Sequence, residues 1–372
     1  MSALSSIVID GSILEGGGQI LRNTVALSGL LSRPVTIQKI RNGRKEPGLK
    51  HQHRTGLELA AEITGAELTG AMNGSTEVHF EPDPKFIRAG QSGHHEADSV
   101  TAGSTMLLLQ IALPLLLFRR EASTSSLTLK GGTNATQAPQ VDYTQHVFLP
   151  FLRKHFGISV EMEVKRRGYY PKGGGDVFVK LATTSGPLTG VSLLERGKIR
   201  SINGVAHFAG LPNQIGVDMV KGAIERLTEA GYTNSEEVPL NIQSSREQNR
   251  NTVGAGSGII LWANLEGGGM LGGSAVGRKG IDAVEVGKEA ATELLKAIDA
   301  GGCVDEWLQD QIVIFLALAE GESEIRCGTG ELTLHTKTAI WIMEQLTDAM
   351  FTVEETESGH SIIRCRGIGY TL

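Results

Sequence analysis

SSIVIDGSILEGGGQILRNTVALSGLLSRPVTIQKI (Ser5–Ile40) decides the fold. SSIVID is rich in β-branched residues and reads as a strand. GGQILRNTVALSGLLS reads as a helix entered through glycines, and PVTIQKI returns to a strand. Strand, helix and strand in so short a span make a βαβ unit, so an α/β chain is expected. HQHRTGLELAAEITG then reads as a helix stopped by Gly65, with short strands near AELTG and STEVHFEP. The order through roughly residue 85 is therefore β-α-β-α-β-β.

A similar cycle follows. SVTAGSTMLLLQIALPLLLF and YTQHVFLPFLRKHF read as helices; SLTLKGG, SVEMEVKRRG and GGDVFVKLA read as strands. A recurrence at about ninety residues is too long for a solenoid and implies a duplicated α/β unit. Gly triplets at 16–18, 173–175 and 267–269 lend it weak support. From Leu188 to about Gly280 the pattern changes. ERGKIRSINGVAHFAG, VPLNIQSS and GSGIILWANL read as strands around the amphipathic PNQIGVDMVKGAIERLTEAG. A smaller α/β domain inserted over 188–280 is expected, leaving 1–187 plus 281–372 as the larger part. KEAATELLKAIDAGG and DEWLQDQIVIFLALAEG read as helices, LTLHTKTAIWIMEQL as strand then helix, and FTVEE…SIIRCRGIG as a hairpin. This last block reads as the other half of a third copy.

The 372 residues are 40% apolar and 20% charged, as in ordinary globular proteins. A net charge of −6 argues against a general nucleic-acid coat but leaves room for a local basic patch. Cys303, Cys327 and Cys365 show neither C-x-x-C spacing nor a disulfide framework, so a reducing compartment is expected. MSALSSIVIDGS does not read as a signal peptide. The most apolar run, Met106–Phe118, carries Gln110 and Pro114 and is too short to span a bilayer, so no membrane partner is expected. Asn134-Ala-Thr matches a glycosylation sequon, which has no meaning without secretion.

Four constellations can carry chemistry. In EGGGQILR (Glu15–Arg22), glycines opening a helix let a phosphate approach backbone N–H groups, Glu15 can hold a metal ion, and Arg22 can meet a phosphate oxygen. Alone, the segment reads as a Gly-rich turn with a solvated Arg. In KIRNGRKEPGLKHQHR (Lys39–Arg54), basic residues outnumber Glu46, against the sign of the whole chain. Arg41 and Arg44 can fork on phosphate, and Gln52 and His53 open the next helix. A phosphate or RNA-backbone site and a solvated face are equally good readings. KRRGYYPKGGG (Lys165–Gly175) places Tyr169 and Tyr170 among cations, which suits single-stranded nucleic acid; core or edge-strand tyrosines are the alternative. In DEWLQDQ, Trp307, Asp310 and Gln311 share a helix face and can hold a purine and its ribose. By spacing alone they read as a partly buried Trp beside two surface polar residues. His335 in LTLHTKTAIW is either a core or edge histidine or a covalent nucleophile, for which neutral imidazole is suited. HHEAD (His94–Asp98) and the His51/His53 pair match no zinc spacing and read as surface or loop residues.

EGGGQILR, RNGRKEPGLKHQH, AGSTMLLLQIALP, GGTNATQAP, RRGYYPKGGG, LQDQ and LTLHTKTAIW stand in order between about residue 10 and residue 341. Together they resemble the RNA 3′-terminal phosphate cyclase family. The resemblance implies three β-α-β-α-β-β repeats, each like the C-terminal domain of bacterial translation initiation factor 3, plus the inserted domain. It implies an ATP-dependent ligase. A histidine takes AMP from ATP, the AMP passes to an RNA 3′-phosphate, and the 2′-hydroxyl expels it to leave a 2′,3′-cyclic phosphate. By the family's motifs His335 is the nucleophile. Gln110, Pro139, Trp307, Asp310 and Gln311 fall on the adenosine pocket, the ring lying between Pro139 and Trp307. Glu15 falls on the position for Mg²⁺ or Mn²⁺. Arg22, Arg41, Arg44, Gln52 and His53 fall on positions for triphosphate and RNA phosphate. Position 307 is often Tyr in the family, and Trp stacks at least as well. TKTAIW differs from the more bacterial pattern, which implies a eukaryotic or divergent member. The implied location is intracellular: nucleoplasm in a eukaryote, cytoplasm otherwise. The implied partner is RNA with a 3′-phosphate end. The oligomeric state and the preferred metal stay open. The family also holds a non-catalytic branch in ribosome biogenesis that lacks the nucleophile, and His335 with the Asp310–Gln311 pair sets this chain apart from it. A similar repeated architecture makes an enolpyruvyl-transferase-like enzyme a further alternative.

Overall fold

The computed structural model describes residues 6–89, 93–118, 123–135, 137–184 and 186–372; Thr136 of GGTNATQAP lies outside them. Among the described residues the chain is a mixed α/β protein with four four-stranded sheets. The first unit runs β1 (Ile7–Asp10), α1 (Gly18–Leu31), β2 (Val35–Gln38), α2 (His51–Thr64), β3 (Glu67–Thr69), β4 (Val78–Glu81). A short α3 (Pro84–Ala89) leads to the second: β5 (His94–Asp98), α4 (Thr105–Leu117), β6 (Thr124–Gly131), then α5 (Val141–Tyr143), a π-helical turn (Thr144–Phe148), α6 (Leu149–Phe156), β7 (Val160–Arg166) and β8 (Gly175–Ala182). β9 (Ser192–Leu193) opens a third sheet. The chain then leaves for β10 (Ile199–Ala209), α7 (Asn213–Glu229), β11 (Leu240–Arg246), β12 (Gly256–Leu265), β13 (Met270–Val276) and α8 (Ala283–Asp299). It returns through α9 (Glu306–Leu318), β14 (Glu322–Thr329), α10 (Leu334–Leu346), β15 (Met350–Glu355) and β16 (His360–Arg366).

Three sheets share one plan: β1-β2-β4-β3, β5-β6-β8-β7 and β9-β14-β16-β15. In each, the first strand pairs parallel with the second, and the second and third pair antiparallel with the fourth. Strands such as β6, β8 and β16 alternate buried and less buried residues, so each sheet packs mainly one face against helices. Between the sheets the helices pack on one another, α1 on α2, α4 and α10. Gly29 and Gly56 allow the close crossings. A Cβ at Gly29 would stand 2.6 Å from Leu115, and one at Gly56 2.4 Å from Ile111. The fourth sheet, β11-β10-β12-β13, carries α7 and α8 over a separate core of Ile202, Met219, Ile259, Leu261, Leu294 and their neighbours. Its other face meets the second unit, where His146 stacks on Trp262 at 4.5 Å.

Several expectations change. HHEAD is a strand, β5, not a loop: only Ala97 of its five residues is buried, so an edge strand looked like polar surface. MLGGSAV is β13, whose glycines hid it. The Gly triplets hold no common place: 16–18 enter α1, 173–175 lead into β8, and 267–269 turn β12 into β13. Leu332–Leu334 is not a strand, because Thr333 caps α10 by accepting from Thr336 N–H at 3.2 Å. Among the described residues no helix is long and apolar enough to cross a membrane.

Candidate active site

In the first two repeating sheets both principal helices follow a strand of the parallel pair; in the third α10 follows β14, and α9 follows the excursion that leaves after β9. The N-termini of helices that follow a strand of the pair therefore lie at one edge of their sheet. A cavity of about 650 Å³ lies there, and five helices open on it: α1 at Gly18, α2 at Gln52 and His53, α4 at its cap Ser104, α9 at Trp307 and α10 at His335. Each turns the positive end of its dipole toward the cavity, which favours a polyanion.

The first unit supplies the charged wall. Arg44 donates to the Glu15 carboxylate at 2.6 Å and to its backbone carbonyl at 3.0 Å, leaving Glu15 Oε2 buried and without a partner among the described residues. Arg41, in a left-handed backbone conformation, donates to the carbonyls of Glu46 and Gly48 at 2.8 and 2.9 Å. Arg22 bonds Gln19; burial lowers its guanidinium pKa, against the pull of Asp310 and Glu15. His53 accepts the Lys50 N–H on Nδ1 at 3.1 Å. Burial, then Arg22, Arg41 and Lys50, hold its pKa down at about 3. The ring is thus neutral, and Nε2 carries the proton toward Gly18 and Arg22. Gly17 and Gly18 are glycines for a local reason. A Cβ at 17 would lie 2.0 Å from the Glu15 carboxylate, and one at 18 would lie 2.9 Å from Arg22 and 3.0 Å from His53. Gln52 accepts from Ser104 N–H at 2.7 Å, joining α2 to the start of α4.

The third unit supplies the opposite wall. His335 stands exposed in the first turn of α10. Desolvation, then Arg22 and Arg44, lower its pKa against the pull of Glu15, so its ring is neutral at pH 7. Thr338, one turn on, accepts from Glu15 N–H at 3.1 Å and ties the two walls together. Asp310 is pushed up to about 7 by burial, opposed by Arg22, and its Oδ1 has no partner among the described residues. The Trp307 indole N–H donates to Glu293 of α8 at 2.8 Å, and Glu293 also accepts from Ser274 N–H at 2.6 Å. Asp305 caps α9 and accepts from Trp307 N–H, Leu308 N–H, Gly272 N–H and the Tyr143 hydroxyl at 2.7 to 3.0 Å.

The second unit contributes Gln110 and Pro139 to the cavity wall, with Tyr170 from the β7–β8 loop. The loop holding Pro139 is anchored behind by a buried ionic network. Arg167 donates to Asp142 at 2.7 and 2.8 Å and to Glu247 at 2.6 Å, and Asn134 donates to Gln140 at 2.8 Å.

Glu15, Arg22, Arg41, Arg44, Gln52, His53, Gln110, Pro139, Trp307, Asp310 and His335 therefore share one cavity. Gln311 does not line it. Its side chain accepts from Gln110 at 3.1 Å and donates to the Trp307 carbonyl at 2.6 Å, standing behind both. His53, read in its pair as surface, is half-buried in the first turn of α2, and Arg167 is withdrawn into the ionic network. Sequence reading missed Gln19, Thr338 and Asp305. Thr338 sits three residues after His335 on one helix face, and Asp305 holds an N-cap position, so both carried a signal. Among the described residues no cluster of three or more His, Cys, Asp or Glu side chains can hold a metal ion.

A family model described as RTC, RNA 3′-terminal phosphate cyclase, matches residues 13–353. The chain is 40% identical over 374 residues to the RNA 3′-terminal phosphate cyclase of Drosophila melanogaster, covering 100% of this chain and 99% of that one. It is 40% identical over 365 residues to the protein of that name from Pyrobaculum neutrophilum, covering 98% and 99%. It is 38% identical over 369 residues to the probable RNA 3′-terminal phosphate cyclase of Dictyostelium discoideum, covering 97% and 83%.

Proposed function

The chain belongs to the RNA 3′-terminal phosphate cyclase family and is an enzyme of that kind, and from that premise we propose that it cyclises an RNA 3′-phosphate through an AMP-bearing His335. The observation that carries the proposal is a neutral, exposed imidazole at a helix N-terminus, facing the cavity that holds Arg22, Arg41 and Arg44. The unprotonated ring nitrogen attacks the α-phosphorus of ATP. The bond to the bridging oxygen breaks and pyrophosphate leaves with its charge opposed by the arginines and helix N-termini. An oxygen of the RNA 3′-phosphate then attacks the same phosphorus and the N–P bond breaks, giving RNA(3′)pp(5′)A. The adjacent 2′-hydroxyl, losing its proton, attacks the 3′-phosphorus and expels AMP. Proximity favours that closure, since both groups sit on one ribose.

Adenine would lie between Pro139 and Trp307, with Gln110 and Asp310 beside it and Gln311 fixing Gln110 from behind. Gln52 and the Nε2–H of His53 would face phosphate oxygens. The lone Glu15 Oε2 suits Mg²⁺ or Mn²⁺, since such ions are commonly held by one or two carboxylates together with substrate phosphates. A bound ion would supply further neutralisation of phosphate charge.

The shared strand order supports reading the larger part as three copies of a unit like the C-terminal domain of bacterial translation initiation factor 3. The fourth sheet is read as the inserted domain. The sequence expectation is 188–280; the pairing of β9 with β14 favours a near edge after Leu193, and the packing of α8 on α7 favours a far edge at Asp299. An intracellular location follows from the reaction.

Incubation with α-labelled ATP and Mg²⁺ or Mn²⁺ tests the mechanism. Label is expected in an acid-labile, base-stable bond, absent in His335→Ala of unchanged circular dichroism. A folded wild-type chain that takes no label would instead be a non-catalytic member of the scaffold.

A further inference from the structure

The two tyrosines of KRRGYYPKGGG have opposite fates. Tyr169 is 4% exposed, and its hydroxyl meets His207 Nδ1 at 2.9 Å. Gly256 leaves room for its ring, which a Cβ there would approach to 2.2 Å. Tyr170 is 77% exposed, lines the cavity, and makes no hydrogen bond through its hydroxyl among the described residues. We propose that Tyr170 is a stacking platform for a base of the RNA strand whose 3′ end enters the cavity, distinct from the adenine position between Pro139 and Trp307. The inference rests on the cyclase reading above and adds to it the place where the polynucleotide, not the nucleotide, is gripped.

The loop that presents Tyr170 is fixed from three sides. Arg167 N–H donates to Asn251 of the inserted domain at 2.8 Å, while its side chain is held by Asp142 and Glu247. Tyr169 bridges to Asn134, and Gly173 N–H closes the turn onto the Tyr169 carbonyl at 2.9 Å. Gly173 also lies against the backbone of Thr101, where a Cβ would come within 2.6 Å of the carbonyl oxygen. The backbone that carries Tyr170 is thus already held, so a stacking ligand has only the ring left to order there.

The surrounding charge selects the ligand. Arg166 and Lys172, both exposed, flank Tyr170 on a chain of net charge −6, and the cavity beyond carries the arginines. An aromatic face between cations, leading into a phosphate-binding floor, matches a single strand: bases stack and the backbone follows the charge. The adenine of ATP already has two walls and does not need a third.

The test uses the full chain as wild type, Tyr170→Ala and Tyr170→Phe. Two quantities are read: the ATP dependence of covalent labelling, and the anisotropy of a fluorescent single-stranded oligoribonucleotide ending in a 3′-phosphate. Tyr170→Ala is expected to weaken the oligonucleotide about five- to 100-fold, to shift half-saturating ATP less than twofold, and to remain folded by circular dichroism. Tyr170→Phe, which keeps the ring, should bind RNA as wild type does. An abasic nucleotide at the stacked position should erase the difference between wild type and Tyr170→Ala. Equal RNA affinity in Tyr170→Ala and wild type overturns the inference, as does an equal loss in RNA and ATP. A wild-type chain that takes no label yet loses RNA affinity on Tyr170→Ala keeps this subsite and overturns the cyclisation mechanism.

Discussion

Arg167 and Arg22 both face carboxylates inside the protein, and the two are treated in opposite ways. Arg167 is 6% exposed and saturated: Asp142 and Glu247 take its N–H groups, and those contacts raise its pKa despite burial. Among the described residues Arg22 hydrogen-bonds only a neutral amide, Gln19. Asp310 and Glu15 stand near enough to pull on its charge, yet each keeps a carboxylate oxygen with no partner among the described residues. Buried polar groups are normally paired, so capacity left open marks a place where something else binds. The first cluster joins loops; the second keeps open hydrogen-bonding capacity beside the cavity.

The sharpest way to break this contrast is to neutralise both arginines. Arg167→Met should cost about 3–5 kcal/mol of stability, because Asp142 is left buried and uncompensated. Arg22→Met should leave the melting temperature within a few degrees of wild type while lowering the rate of labelling by about 10²–10³-fold. Paired thermal melts and labelling time courses decide it; equal destabilisation by the two substitutions removes the distinction.

A smaller effect sharpens the nucleotide side. Trp307→Ala should weaken ATP use by about 1–3 kcal/mol through lost stacking. Glu293→Ala, which frees the indole N–H without touching the cavity, should cost about 1 kcal/mol in the same half-saturation measurement.

The smallest effect concerns pH. His53 is held at about 3 in the folded state, so falling pH costs stability as the unfolded chain takes up a proton near 6.5. Asp310, raised to about 7, works the other way: the folded form keeps its proton where the unfolded form has lost it, and that contribution fades as pH rises toward 7. Asp310→Asn removes the second effect alone. Between pH 7 and pH 6 the variant should lose about 1 kcal/mol more than wild type in urea unfolding; parallel profiles would show that Asp310 is not a buried acid.

Much of this was legible from residues alone. Glycine and proline punctuated the βαβ runs, and the excess of Lys and Arg over 39–54, on a chain of opposite net sign, singled out a segment whose Arg41 and Arg44 line the cavity. Other features needed three dimensions. β5 carries its hydrogen bonds at a polar edge, and β13 is half glycine in its middle, so neither shows a strand's side-chain pattern. No spacing rule could separate Tyr169 from Tyr170, or Arg166 from Arg167, because what divides them is the approach of Asp142, His207 and Glu247 from remote parts of the chain. The convergence of five helix ends is likewise a property of the assembled fold, invisible in any single helix.

The detour between β9 and α9 also sets a timetable. A ribosome delivers Ser192–Leu193 well before Glu324 and Ile325, the residues they pair with, and must finish the fourth sheet in the interval. Trp307 and Asp310 emerge only after the fourth sheet, and His335 only after β14. A chain abandoned before α9 carries Arg22, Arg41 and Arg44 without Trp307, Asp310 or His335, so an incomplete product has one wall of the cavity and not the other.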